Sequence, residues 1–162
     1  MKRLAVIVAS GTLAIGAQAA NWSTVAESQS GSIFSLDLDS IERSDINVLD
    51  EKQVDNVTVA IRRAYPTPKS VTKDSQEKEG KEKQTKESDI HHSDQQWLIS
   101  CKDASYYRRA YVNYTADNKV IKSWQSDKTL LTSKDFKVTN PKTISRILIE
   151  QTCKNYEQAK AK

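Results

Sequence analysis

The sequence predicts an α+β domain in which an antiparallel β-sheet carries a single C-terminal α-helix packed on one face. Three observations support this fold. Apolar and polar residues alternate along most of the chain, the last segment changes to a helical period, and only two cysteines occur. The chain has 162 residues, of which 37% are hydrophobic. That length suits one domain after any export segment has been removed.

Residues 1–19 have the pattern of a secretory signal peptide. Lys2 and Arg3 form a charged start, residues 4–17 are mostly apolar, and Ala17-Gln18-Ala19 fits a small-x-small cleavage site. A membrane-spanning helix needs about 20 apolar residues, so we expect export and no transmembrane segment in the mature chain. A buried N-terminal helix is the alternative. With no cysteine near the cleavage site, we expect no lipid anchor.

Period-two or β-branched runs mark the strand candidates of the single domain expected over residues 20–162. In chain order they are residues 22–26, 33–41, 56–65, 97–101, 106–115 and 119–126. Tyr65-Pro66-Thr67-Pro68 ends the third run because proline cannot donate to a β-ladder. Ala116-Asp117-Asn118 favours a tight turn, since Asp and Asn tolerate positive φ, and makes the last two runs the clearest hairpin.

Residues 69–96 differ in composition from the strand candidates on either side. Only Val71 and Ile90 are apolar, and six Lys stand against seven Asp or Glu. Such a segment buries too little apolar surface to offset the entropy of ordering. We therefore expect a flexible charged loop inserted between strands, either a solvated insertion or a recognition loop.

The C-terminal segment predicts a helix over about residues 141–158. Asn140-Pro141 supplies an N-cap followed by proline at the first helical position. Ile144, Ile147 and Leu148 then recur at helical spacing. These apolar residues would face the sheet.

Both cysteines lie in the expected mature chain. Cys101 ends a strand candidate and Cys153 falls in the predicted helix. Exported proteins meet an oxidising environment, so we expect a disulfide that ties the helix to the sheet. Two free or catalytic thiols are the alternative, and no C-x-x-C motif accompanies them.

Catalytic patterns are scarce, so we expect no enzyme and no cofactor. After residue 19 only Gly31 and Gly80 occur, which excludes glycine-rich phosphate loops. His91 and His92 fall in the charged segment, where a general base would not be held in place. Adjacent imidazoles are acceptable ligands for a transition metal, but we interpret them as a solvated loop pair and expect no metal site.

One carboxylate pair remains as a catalytic hypothesis. Asp37 and Asp39 point the same way if both lie in one strand, about 6.6 Å apart at two residues' rise. That separation falls in the range of glycosidase carboxylates. Any alternating strand with a wet face produces such a pair, so a strand end with a turn or cap is the interpretation that we prefer.

The fifth strand candidate is rich in tyrosine and arginine. Strict alternation places Tyr107, Arg109 and Tyr111 on one face and Arg108 on the other, and Trp124 on the next strand extends the set. These residue types dominate protein–protein hot spots, so all five are candidate partner-binding residues. They also suit single-stranded nucleic acid, but export and a net charge of only +4 argue against that partner.

The order of several short motifs resembles the surface-adhesin protein E family of Gram-negative bacteria. These motifs are LDLDSI from Leu36 to Ile41, Tyr65-Pro66, a strand ending at Cys101, a Tyr-rich hairpin, and a helix with Cys153-Lys-Asn-Tyr156. The resemblance spans roughly residues 22–157. It implies an antiparallel sheet with a packed C-terminal helix, the Cys101–Cys153 disulfide and an envelope location.

The resemblance also implies a role in virulence, because the best-known member binds vitronectin, laminin and plasminogen. Two departures are visible: this chain lacks that member's lipidation cysteine, and residues 69–96 prevent a position-by-position match of adhesive residues. We expect an exported, non-enzymatic, adhesin-like protein of the periplasm or outer cell surface that binds host matrix or serum proteins. A homodimer is left open. The alternative is a periplasmic structural or inhibitory module, similar to a lysozyme inhibitor.

Overall fold

A computed structural model describes residues 20–50, 56–67 and 90–162. The expected signal peptide and residues 69–89 of the charged segment lie outside the described residues. The strands and the helix are β1 (Trp22–Glu27), β2 (Ile33–Asp37), β3 (Glu42–Arg43), β4 (Asn56–Ala64), β5 (His92–Ser100), β6 (Ser105–Tyr114), β7 (Val120–Gln125), β8 (Lys137–Val138) and α1 (Ile144–Lys160). Short 3₁₀ turns lie at Leu38–Ser40 and Ser133–Asp135.

All the described strands belong to one antiparallel sheet. Its order is β1-β2-β4-β5-β6-β7, with β3 beside β4 and β8 beside β6. The central strands β4 and β5 pair over their whole length, from Asn56 opposite Ser100 to Ala64 opposite His92. The hairpin between β6 and β7 is confirmed, and Asn118 takes the positive φ, 60°, that its turn requires.

Helix α1 packs on one face of this sheet and encloses the main core. The apolar side chains that meet there are Leu36, Val59, Ile61, Trp97, Ile99, Leu148 and Ile149. Cys101, just after β5, is bonded to Cys153 in α1. The predicted fold class and the disulfide between sheet and helix are therefore confirmed. In the described part of the chain, no helix is long and apolar enough to cross a membrane.

The helix begins three residues later than the sequence predicts. Lys142, directly after Pro141, has φ of 65°, which is incompatible with a right-handed helix. Thr143 is the N-cap, and its hydroxyl accepts a hydrogen bond from the Arg146 N–H at 3.3 Å. The sequence correctly indicates a capped helix but assigns the cap to the wrong residue.

Two strand boundaries also differ from those predicted. The second predicted strand ends at Asp37 because that side chain accepts from the backbone N–H of Asp39 and starts a 3₁₀ turn. The predicted loop over residues 69–96 is wrong at its C-terminal end, since β5 begins at His92. Residues 92–96 are polar, but β4 and β6 pair with them on both sides, so backbone hydrogen bonds order them without much apolar burial.

A smaller group of buried apolar side chains lies on the face of the sheet opposite α1. Leu98 is fully buried there, since it alternates with Trp97 and Ile99, which face the helix. Val48 and Leu131, also buried, join two surface segments through an isolated parallel bridge. The fold therefore buries apolar side chains on both faces of β5.

Candidate partner-binding site

A β-bulge in β6 decides which of the predicted binding residues share a face. Arg108 pairs with Trp97, whereas Ala110 pairs with Gln96, so Arg109 is the inserted residue. The face assignment from strict alternation is therefore wrong. An inserted residue shifts the alternation by one, and every later side chain of the strand changes sides.

Beyond the bulge, three of the five candidates meet on the face that carries α1. The guanidinium carbon of Arg108 lies 5.1 Å from the ring centroid of Tyr111. The ring of Trp124, which pairs with Tyr111 across β6 and β7, stacks on it with centroids 5.9 Å apart. We call Arg108, Tyr111 and Trp124 the aromatic–cation row. Arg108 is exposed and Trp124 is 42% exposed, so the row is open to a partner.

The other two candidates lie outside this row. Tyr107 is on the opposite face, where its hydroxyl is hydrogen-bonded to the Ser126 hydroxyl and its ring centroid lies 6.3 Å from that of Phe136. Arg109 is half-buried at the bulge, and its carbonyl accepts from the Ser126 N–H at 2.7 Å. Both residues make local structural contacts and are not part of the row.

Packed side chains lie next to the row on the same face of the sheet. The ring of Trp97, which pairs with Arg108, stacks on Tyr106 with centroids 3.9 Å apart, and both belong to the core beneath α1. The Trp97 indole N–H donates to the Gln95 side chain at 2.9 Å. Because this layer is packed, the strand that presents Arg108 and Tyr111 is held rigidly. A rigid surface loses little entropy on binding.

The opposite face carries an ion pair that the sequence does not reveal. Arg62 donates two hydrogen bonds of 2.7 Å to the carboxylate of Asp94, and its guanidinium carbon lies 4.4 Å from the centroid of the Trp22 ring. The hydrogen bonds from Arg62 to Asp94 raise the pKa of the guanidinium further. Sequence reasoning missed this pair because it assigned Asp94 to the loop; extending the strand back to His92 would have placed the two side chains opposite each other.

We predict a modest coupling energy for this pair. In a double-mutant cycle with Arg62→Met and Asp94→Asn, urea unfolding should give a coupling of about 1 kcal/mol, since solvent screens both partly exposed side chains. The more exposed pair Glu157 and Lys160, with a nitrogen–oxygen distance of 3.6 Å, is the control and should couple less. Equal coupling energies in the two pairs would contradict the prediction that the bidentate Arg62–Asp94 pair is the stronger one.

The two histidines are not a solvated loop pair. His92 is the first residue of β5, is only 7% exposed, and stacks on Tyr114 with ring centroids 4.9 Å apart. Burial, with the positive charge of Arg62 as a smaller cause, lowers the pKa of His92. His91 precedes the strand, and the Nδ1 atoms of the two rings are 2.9 Å apart. The expectation of a solvated pair is therefore wrong, because the end of the sheet holds this dipeptide.

The carboxylates of Asp37 and Asp39 do not form a pair on one strand. Asp37 accepts from the backbone N–H groups of Asn21 at 3.1 Å and of Asp39 at 3.2 Å, and Asp39 belongs to the following 3₁₀ turn. The strand end with a cap is confirmed, and the same-strand geometry of the glycosidase hypothesis is wrong. No group of three or more His, Cys, Asp or Glu side chains that could hold a metal occurs in residues 20–50, 56–67 and 90–162.

Comparisons with protein-family models, curated proteins and solved structures found no match to this chain.

Proposed function

We propose that the protein is an exported, non-enzymatic, adhesin-like protein that binds a host matrix or serum protein through the aromatic–cation row. One observation carries this proposal: on an accessible surface, Tyr111 contacts Arg108 on one side and Trp124 on the other. Arginine, tyrosine and tryptophan are the residue types that contribute most to protein–protein binding energy. A large ring left 42% exposed gains free energy when a partner covers it.

Charge favours an acidic region on the partner. Residues 101–142, which include β6, β7 and β8, contain nine basic and four acidic side chains. Residues 20–50, which include β1, β2 and β3 at the other side of the sheet, contain one basic and six acidic side chains. An acidic partner would therefore be steered toward the strands that carry the row, and its association rate would fall with added salt.

The expected result of testing the row is a large loss of binding in two single variants. Trp124→Ala and Arg108→Ala should each weaken binding to immobilised vitronectin, laminin or plasminogen by about tenfold or more, the effect typical of hot-spot residues. Surface plasmon resonance with the purified protein measures this. Leu130→Ala and Lys102→Ala are matched controls, because both side chains are exposed and lie outside the row.

Two results would contradict the proposal. One is equal weakening by the control and row variants, which would indicate non-specific adhesion. The other is a strictly periplasmic location, which protease treatment of intact cells would reveal as complete protection of the chain. Cleavage on intact cells together with selective loss of binding supports an adhesin.

A second function is favoured by the disulfide-tied sheet itself. Small, rigid, disulfide-bonded domains suit inhibitory or structural roles in the envelope, and a periplasmic inhibitor of host lysozyme would need only one rigid surface. An inhibition assay with purified protein tests this directly. Unchanged lysozyme activity at high micromolar protein would exclude the lysozyme version.

A further inference from the structure

The two imidazoles at the start of β5 bring their Nδ1 atoms close together. The Nδ1 atoms of His91 and His92 are 2.9 Å apart, and the ring planes are nearly perpendicular, at 87°. These are the two histidines of the whole chain. Neighbouring residues of a regular strand point to opposite faces, so two rings can meet here only because His91 lies just outside β5.

The separation of the two nitrogens fits one coordination geometry. Imidazole nitrogens bind a metal at about 2.0–2.1 Å. Two such ligands at a right angle are about 2.9 Å apart, whereas tetrahedral ligands are about 3.4 Å apart. Right-angled nitrogen ligands are typical of the square-planar or tetragonal sites of Cu(II) and Ni(II), and Cu(II) binds more tightly in the Irving–Williams order.

We propose that His91 and His92 together form a Cu(II)-binding site through their Nδ1 atoms. In the absence of metal, one ring donates its Nδ1 hydrogen to the other, so the contact is a hydrogen bond that copper replaces. On binding, that proton moves through solvent to the Nε2 atom of the same ring, so each neutral ring offers an Nδ1 lone pair to the metal and no net proton is released.

The sheet holds both ligands in position before any metal binds. The His91 N–H donates to the Tyr114 carbonyl at 2.8 Å, and the His91 carbonyl accepts from the Tyr65 N–H at 2.9 Å. The buried ring of His92 is fixed by its stack on Tyr114. A dipeptide fixed on both sides loses less entropy on binding than a free loop would.

The surroundings make this an exchangeable site. Arg62 is a cation that acts on His92, and the carboxylate of its ion-pair partner Asp94 acts on His92 in the opposite direction with a smaller effect. No third His, Cys, Asp or Glu completes a ligand group in the described part of the chain. Solvent would supply the remaining ligands, so we expect weaker binding than at a site with three or four protein ligands.

A Cu(II) titration of the purified, metal-free chain tests the proposal. Electron paramagnetic resonance should show one Cu(II) per chain with hyperfine splitting from two nitrogens. His91→Gln and His92→Gln should each weaken binding at least tenfold and remove one nitrogen. Gln96→Ala, an exposed change on the same face as His92, is the matched control and should retain the signal.

His91→Gln is the decisive variant, because the exposed His91 side chain can be replaced without opening the core. Its circular dichroism should match that of the unaltered protein, which separates loss of a ligand from loss of the fold. An unchanged copper spectrum in His91→Gln would overturn the proposal. Absence of binding at about 0.1 mM copper would do the same, and the contact would then be only a hydrogen bond.

Discussion

Replacing Cys101 and Cys153 with alanine is expected to lower the free energy of unfolding by roughly 4 kcal/mol. The bond joins residues separated by 52 positions, so its loss greatly increases the conformational freedom of the unfolded chain. Single domains have total stabilities of about 5–15 kcal/mol, so this is a large fraction. Urea unfolding of the oxidised protein and the variant, followed by circular dichroism, gives the difference.

Chemical reduction provides the control for this measurement. A thiol reductant should destabilise the oxidised protein by a similar amount and leave the alanine variant unchanged, because the variant has no bond to reduce. Agreement of the two unfolding curves in the absence of reductant would show that the bond contributes little. Residual docking of α1 through its apolar face would then be the main link between helix and sheet.

Local sequence patterns were sufficient to predict the sheet and the helix. The alternation in β4, with Val57, Val59 and Ile61 on one face, persists because β5 pairs with β4 in regular register over its whole length. The spacing of Ile144 and Leu148 in α1 needs no knowledge of the rest of the chain. The disulfide was predicted from the positions of the two cysteines and from the expectation of export.

The arrangement of the candidate site could not be obtained in this way. Whether Arg108 and Tyr111 share a face depends on the bulge at Arg109, and a bulge is a property of the paired strands β5 and β6. In the sequence, the run from Tyr107 to Tyr111 has the same alternation with or without the inserted residue. The sequence therefore identifies the three residues of the row as candidates, but strict alternation places Arg108 and Tyr111 on opposite faces of the strand, which is wrong.

The start of β5 shows a different error, in which part of a strand was interpreted as a loop. Composition indicated that His92 and Asp94 belong to a solvated loop, because few apolar residues surround them. In the structure, His92 is buried between strands and Asp94 is paired with Arg62. Polar residues can be ordered by a ladder on each side, and a count of apolar residues along one segment does not detect this.

Leu148→Ala is expected to cost about 2–5 kcal/mol of stability, the usual range for a leucine removed from a packed core. The Leu148 side chain is 1% exposed and lies among the residues that join α1 to β2, β4 and β5. The opposing strands hold their own register through hydrogen bonds, so they cannot collapse fully into the space that the smaller side chain leaves. Urea unfolding measures the loss, and Glu150→Ala, on the exposed side of α1, should change stability by less than about 0.5 kcal/mol.

Combining this substitution with removal of the disulfide gives the sharpest test of how the helix is held. Both changes act on the attachment of α1, one through packing and one through the covalent link, and together they should cost roughly 6–9 kcal/mol. That loss is comparable to the whole stability of a typical domain, so we expect the triple variant to be largely unfolded at room temperature. Near-native circular dichroism of the triple variant would mean that the sheet is stable without its helix, and that the core beneath α1 contributes less than its burial indicates.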